Sequence, residues 1–160
     1  MNILDKKLDA LMRLCTAEEE SDRNRIREEV RCMLEARNVS HFDDPEYWIR
    51  QVLLELGAPD HLSGHPYVVQ AILLVIQDRI YINHITQLLY PQLALQFNTT
   101  PSRVERAIRH LIEVAWSRGD YRVLNRHFGG TVSALKGKPT NGEFIARVAN
   151  IVLQRMREAA

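Results

Sequence analysis

Arg103, Arg106 and Arg109 recur every third residue in the stretch NTTPSRVERAIRHLIEVAWSRGD (98–120), with Glu105 and His110 among them and Arg118 near its end. Guanidinium groups one helical turn apart suit forked hydrogen bonding to phosphate oxygens and to the acceptors on guanine. Arg106 and Arg109 are the candidate base readers, each able to make a bidentate contact with guanine O6 and N7. Glu105 can accept from cytosine N4. An acid at a phosphate-rich surface weakens indiscriminate attraction, so its presence favours sequence reading. It also suits an i,i+4 pair with Arg109, worth about 0.2–0.5 kcal/mol, and the two roles are compatible. Arg103, Arg118, Arg122, Arg126, Lys136 and Lys138 fit phosphate contacts that set orientation, and Ser102 at a helix start can add hydrogen bonds to phosphate. His110 is either a further phosphate contact or a partly buried helix residue.

Such side chains need a helix to present them. Thr100 is a suitable N-cap and Pro101 fits the first helical position, so the spacing predicts a helix over 101–117. At about 100° per residue, Val104, Ala107, Ile108, Leu111, Ile112 and Ala115 share one side, and Ser102, Arg106, Arg109, His110 and Glu113 share the other. The preceding PQLALQF predicts a short helix over 91–97 that offers Leu93, Leu95 and Phe97 to the apolar side, across the connector NTT. This pair reads as a helix-turn-helix, whose second helix enters the major groove of DNA.

Charge distribution agrees with that placement. The formal net charge is only +1, yet residues 98–138 hold 8 basic against 3 acidic residues, whereas residues 41–97 hold 2 against 6. A polyanion responds to the local excess rather than to the total.

Further helices are expected over 45–56, opened by Asp44 and Pro45 and closed by Gly57 and Pro59, and over about 66–79, 82–90 and 141–157. No convincing period-two strand is present, GGTVSAL being at most a short extended piece, so the expected fold is all-α: about six helices containing the helix-turn-helix. Trp48, Trp116, Tyr47, Tyr67 and Phe144 sit among apolar positions and are expected to pack. A boundary near residue 41 separates this domain, 41–160, from a charged helical arm, 1–40. Leu4, Leu8, Leu11 and Cys15 fall at helical spacing there, TAEE at 16–19 restarts a helix, and Ile26, Val30, Met33 and Leu34 form a second stripe. So narrow a stripe either docks on its own domain or pairs with another copy as a short coiled coil, making a homodimer.

Several classes are excluded. The longest apolar run, YVVQAILLVI, is too short for a bilayer, which takes about 20 residues. Asp5 and Asp9 interrupt any secretory signal, so a cytoplasmic protein, nucleoid-associated when bound to DNA, is expected. Cys15 and Cys32 lack metal or disulfide spacing. His61 and His65 share an i,i+4 spacing, but in a loop broken by Gly64 and Pro66 and without a third ligand, so no metal is expected. Phosphate-cradling glycine motifs and a nucleophile elbow are missing, and neither an enzyme nor a cofactor is expected.

FNTTPSRVERAIRHLIEVAWSRGD, with FGGTVSALKGKPTNGEFIA at 128–146 and LGAPDHLSG at 56–64, closely resembles the DNA-binding effector-domain family of the master regulator of sporulation initiation in endospore-forming Firmicutes. The resemblance covers roughly residues 45–157. It implies an all-helical response-regulator effector domain that binds double-stranded DNA at a TGTCGAA-like box, often in tandem copies, to activate or repress transcription. By the same resemblance Glu105, Arg106 and Arg109 contact bases, while Ser102, Arg103, His110 and the KGKPT segment, with Lys136 and Lys138, lie near the backbone.

Three departures qualify it. Family members carry an N-terminal receiver of roughly 120 residues, a typical domain length, where about 40 precede the matching region here, so control by a built-in receiver is not expected. LALQFN lacks the lysines usual in the short helix before the turn, which predicts weaker backbone affinity. The segment that helps the family meet the RNA polymerase sigma subunit reads DYRVLNRH here, with extra arginines. The expected function is a sequence-specific transcriptional regulator. The competing one is an interaction protein whose arm binds a partner and whose DNA binding is weak or lost.

Overall fold

Asp44 begins the helical body: its carboxylate accepts from the Glu46 amide at 2.9 Å, and Pro45, lacking an N–H, starts the helix at no cost. The computed structural model describes residues 13, 22, 24–32, 44–130 and 137–160. The chain divides between Asp43 and Asp44 into two units. In the first, residues 24–32 are helical, Ile26 is buried, Cys32 is exposed, and Arg13 pairs with Glu29 at 3.4 Å. Leu4, Leu8, Leu11, Cys15, Met33 and Leu34 of the expected arm lie outside the described residues, as do Lys136 and most of GGTVSAL.

The second unit is built from α1 (Pro45–Glu55), α2 (Gly64–Gln77), the short α3 (Ile80–Asn83), a π-helical turn (Ile85–Leu89), α4 (Tyr90–Gln96), α5 (Pro101–Arg118), α6 (Tyr121–Phe128) and α7 (Asn141–Ala159). Among the described residues there is no strand. α2 is the most apolar helix and lies at the centre, packed on α5 and α7, while α1 packs on α7 and α4 on α5. Its Val68, Val69, Ala71, Ile72 and Val75 join Ile49, Leu53, Leu93, Ile108, Leu111, Phe144 and Val148 in one core. Trp116 meets Phe128 edge-on at 5.0 Å between ring centres, and Phe128 stacks on Phe144 at 5.7 Å, which ties α5, α6 and α7 together.

Two glycines set close approaches. Gly57 ends α1 at φ 75°, a left-handed conformation that glycine adopts without strain. At Gly64 a Cβ would stand 2.2 Å from the Ala107 carbonyl oxygen, so the absence of a side chain is what lets the start of α2 seat on α5.

Three expectations change, and one helix joins those expected. Leu95 is 80% exposed, because residues two apart on a helix point about 200° from one another, and Leu93 takes the buried side with Ala94. Residues 82–90 and 91–97 are not two helices opened by Pro91. The π-helical turn runs into α4, with Leu89 N–H reaching the His84 carbonyl at 3.2 Å. This wider turn makes room for the Pro91 ring, which in an unbroken α-helix meets the Gln87 carbonyl. DYRVLNRH is helical, as α6, capped by Asp120 accepting from Arg122 N–H at 2.7 Å. Gly64, His65 and Pro66 form the first turn of α2 rather than a loop, and His65 is buried there.

Candidate nucleic-acid interface

The connector between α4 and α5 is short and closed. Thr99 N–H donates to the Ala94 carbonyl at 2.9 Å, and Asn98 takes φ 50°, a left-handed position that asparagine tolerates. Thr100 Oγ1 then accepts from Arg103 N–H at 3.3 Å and starts α5. With the start fixed, the 3.6-residue period decides the rest: Val104, Ile108, Leu111, Ile112 and Ala115 are buried, while Ser102, Arg103, Arg106, Arg109, His110 and Glu113 are exposed. Arg106 and Arg109 project from the same side about 4.5 Å apart along the axis.

Four contacts order this face. Glu105, half-buried, forms an ion pair with the Arg109 guanidinium across one turn. Lys138, arriving from the segment before α7, donates to the Glu113 carboxylate at 2.6 Å. That hydrogen bond, with the lysine's charge, holds the Glu113 carboxyl below the usual carboxylate range. Asn141, in the first turn of α7, donates its side-chain amide to the Tyr90 hydroxyl at 3.0 Å and to the backbone carbonyl of Glu105 at 3.1 Å. Burial raises the Tyr90 phenol above its ordinary value, so it stays protonated.

Two hollows flank α5. On one side a cleft of about 590 Å³ is bounded by Tyr90, Glu105, Arg109, Lys138, Thr140 and Asn141. On the other, a hollow of about 420 Å³ lies between Ser63, Tyr67, Thr99, Arg103 and Arg106. Cationic groups thus line both margins of the exposed helix face.

The structure brings Ser102, Arg103, Glu105, Arg106, Arg109, His110 and Lys138 to one surface. His110 is exposed rather than partly buried. Arg118 stands apart, about 24 Å along the axis from Ser102 and roughly 120° around from the middle of the exposed face. Arg122 and Arg126 are exposed on α6, and Lys136 is outside the described residues. His61 is exposed with Asp60 beside it, and no group of three His, Cys, Asp or Glu side chains able to hold a metal occurs among the described residues. No described helix is long and apolar enough to cross a membrane.

Asn141 carries no charge and sits beyond the helix pair, so charge and periodicity pass over it. The detectable signal is the T-x-x-E pattern at Thr140 and Glu143, a capping box that fixes the start of α7 and therefore where Asn141 falls.

An all-helical domain in which a capped, arginine-bearing helix follows a tight turn has the form of the helix-turn-helix class. The family described as "Sporulation initiation factor Spo0A C terminal" matches residues 49–152, and the chain belongs to it. This region is therefore a DNA-binding effector domain of the sporulation-regulator type, in a family of transcription regulators rather than enzymes.

Proposed function

We propose that the protein is a sequence-specific regulator of transcription that lays α5 in the major groove of a TGTCGAA-like box. The observation that carries this is the row of exposed guanidinium groups on the N-terminal half of α5, directly after the closed turn. A helix about 10–12 Å across fits a major groove about 12 Å wide. Arg106 and Arg109 read guanines, and Glu105 accepts from a cytosine while aiming Arg109. Ser102, Arg103, His110, Lys136 and Lys138 contact the sugar-phosphate backbone. Arg118 reaches only phosphates beyond the box, given its distance from Ser102. Tandem boxes bring two copies side by side, the charged arm 1–40 supplies pairing or docking, and α6 is the surface offered to the polymerase sigma subunit.

Fluorescence anisotropy with the whole chain tests the central point. A duplex bearing two tandem TGTCGAA-type boxes is compared with a scrambled duplex at two salt concentrations. The expected result is a box preference that survives excess scrambled duplex, with Arg106→Ala and Arg109→Ala each lowering it by about 1–3 kcal/mol. Equal, weak binding to both duplexes that salt abolishes would overturn the proposal in favour of the interaction-protein reading, and pull-downs with the arm as bait then follow.

A further inference from the structure

Outside the hydrophobic residues, His65 and Asn141 are the buried side chains among the described residues. Both hydrogens of its amide are used, one by the Tyr90 hydroxyl of α4 and one by the Glu105 carbonyl of α5. A single side chain of α7 therefore joins both helices of the helix-turn-helix. The acceptor on α5 is not an arbitrary carbonyl. It belongs to the residue whose carboxylate holds the Arg109 guanidinium, and it is the carbonyl that an α-helix pairs with the Arg109 amide. Lys138, three residues earlier, grips Glu113 at 2.6 Å, so the segment leading into α7 fastens α5 at two points about 12 Å apart along its axis. The capping box of Thr140 and Glu143, with bonds of 3.2 and 2.8 Å, fixes the backbone from which Asn141 projects.

From this we infer that Asn141 is a positioning residue for base recognition: by bracing the Glu105 carbonyl against α4 and α7, it sets how far the Glu105–Arg109 pair advances into the groove. The inference rests on the DNA-reading function proposed above. Bidentate pairing to a base tolerates displacement of only about 0.5 Å, whereas attraction to phosphates is far less sensitive to it. Loss of the brace therefore lowers discrimination and spares backbone affinity. Without Asn141, Glu105 and Arg109 keep their mutual contact but not their depth.

The test measures box and scrambled affinities of the whole chain for wild type, Asn141→Ala, Arg109→Ala and the double variant, with circular dichroism melting of each. Asn141→Ala is expected to lower the box-to-scrambled ratio about tenfold with little change in scrambled affinity, and to cost clearly less once Arg109 is gone. Asn141→Ser, which keeps one donor, is expected to fall between, and it carries the same comparison should the alanine chain fail to fold. A lowered melting temperature with a wild-type ratio, or an equal cost with and without Arg109, overturns the inference and leaves Asn141 a structural residue. Absence of box preference in the unsubstituted chain overturns the parent proposal, and this one with it, before any variant is compared.

Discussion

Glu105 joins two opposing demands on the proposed interface, since a negative charge repels phosphates while its carboxylate pairs with the Arg109 guanidinium. Replacing it by Gln is expected to raise affinity for scrambled duplex and to narrow the gap between box and scrambled, read by anisotropy at low and moderate salt. A parallel loss of both affinities would show that the pair only supports the helix. Arg103 tests the other role. Arg103→Ala is expected to weaken binding to every sequence alike and to reduce the slope of log affinity against log salt by about one. Residue type and period are enough to put Arg106 and Arg109 on one side in the sequence, and the i,i+4 spacing links Glu105 to Arg109, because a helix sets both relations whatever surrounds it. Asn141 is not legible in that way. Its two partners lie 36 and 51 residues away in the chain, and only the packing of α7 on the helix pair brings them within reach.

Among the elements, α5 depends on a cap and on a missing side chain. Thr100→Ala removes the acceptor for Arg103 N–H and is expected to cost about 1 kcal/mol in urea denaturation. Gly64→Ala is expected to cost about 1–3 kcal/mol, because its methyl group cannot coexist with the Ala107 carbonyl and α2 must shift from α5. A neutral result for Gly64→Ala would mean that the two helices slide apart freely. Helix starts carried by Asp44–Pro45 and Thr100–Pro101 are readable in the sequence, since capping is a local matter of one side chain and a few amides. α6 escapes such reading because its eight residues provide too few repeats of Val123, Leu124 and Phe128 for a period to emerge. The join at Pro91 misleads for a different reason. Proline signals a helix start, and only a turn widened by one residue lets the chain run through it.

For the molecule as a whole, stability should depend on pH in a definite direction. Burial lowers the affinity of His65 and His127 for protons below the ordinary value of 6.5. The Arg155 guanidinium, hydrogen-bonded at 2.7 Å between α7 and α1, holds the Glu55 carboxyl below its ordinary 4.5. In each case the unfolded chain takes up the proton first, so the stability these groups contribute is complete above the unfolded value and is lost as pH falls through the folded one. Urea midpoints are expected to decline as pH drops below 6.5 and again below 4.5, with His65→Gln and His127→Gln flattening the first decline. A flat profile down to 4.5 would mean that neither histidine is shielded in solution. The all-helical class and the helix-turn-helix are readable from hydrophobic period and charge balance, whereas the partners of α7 depend on the completed core. Its late place in the chain has a consequence for synthesis. A ribosome makes α4, the turn and α5 well before α7, so a product released after Phe128 holds both helices of the motif but lacks Phe144 and Val148 of the core on which they rest. The order of the elements thereby makes a stably packed helix pair a property of the chain extended through α7.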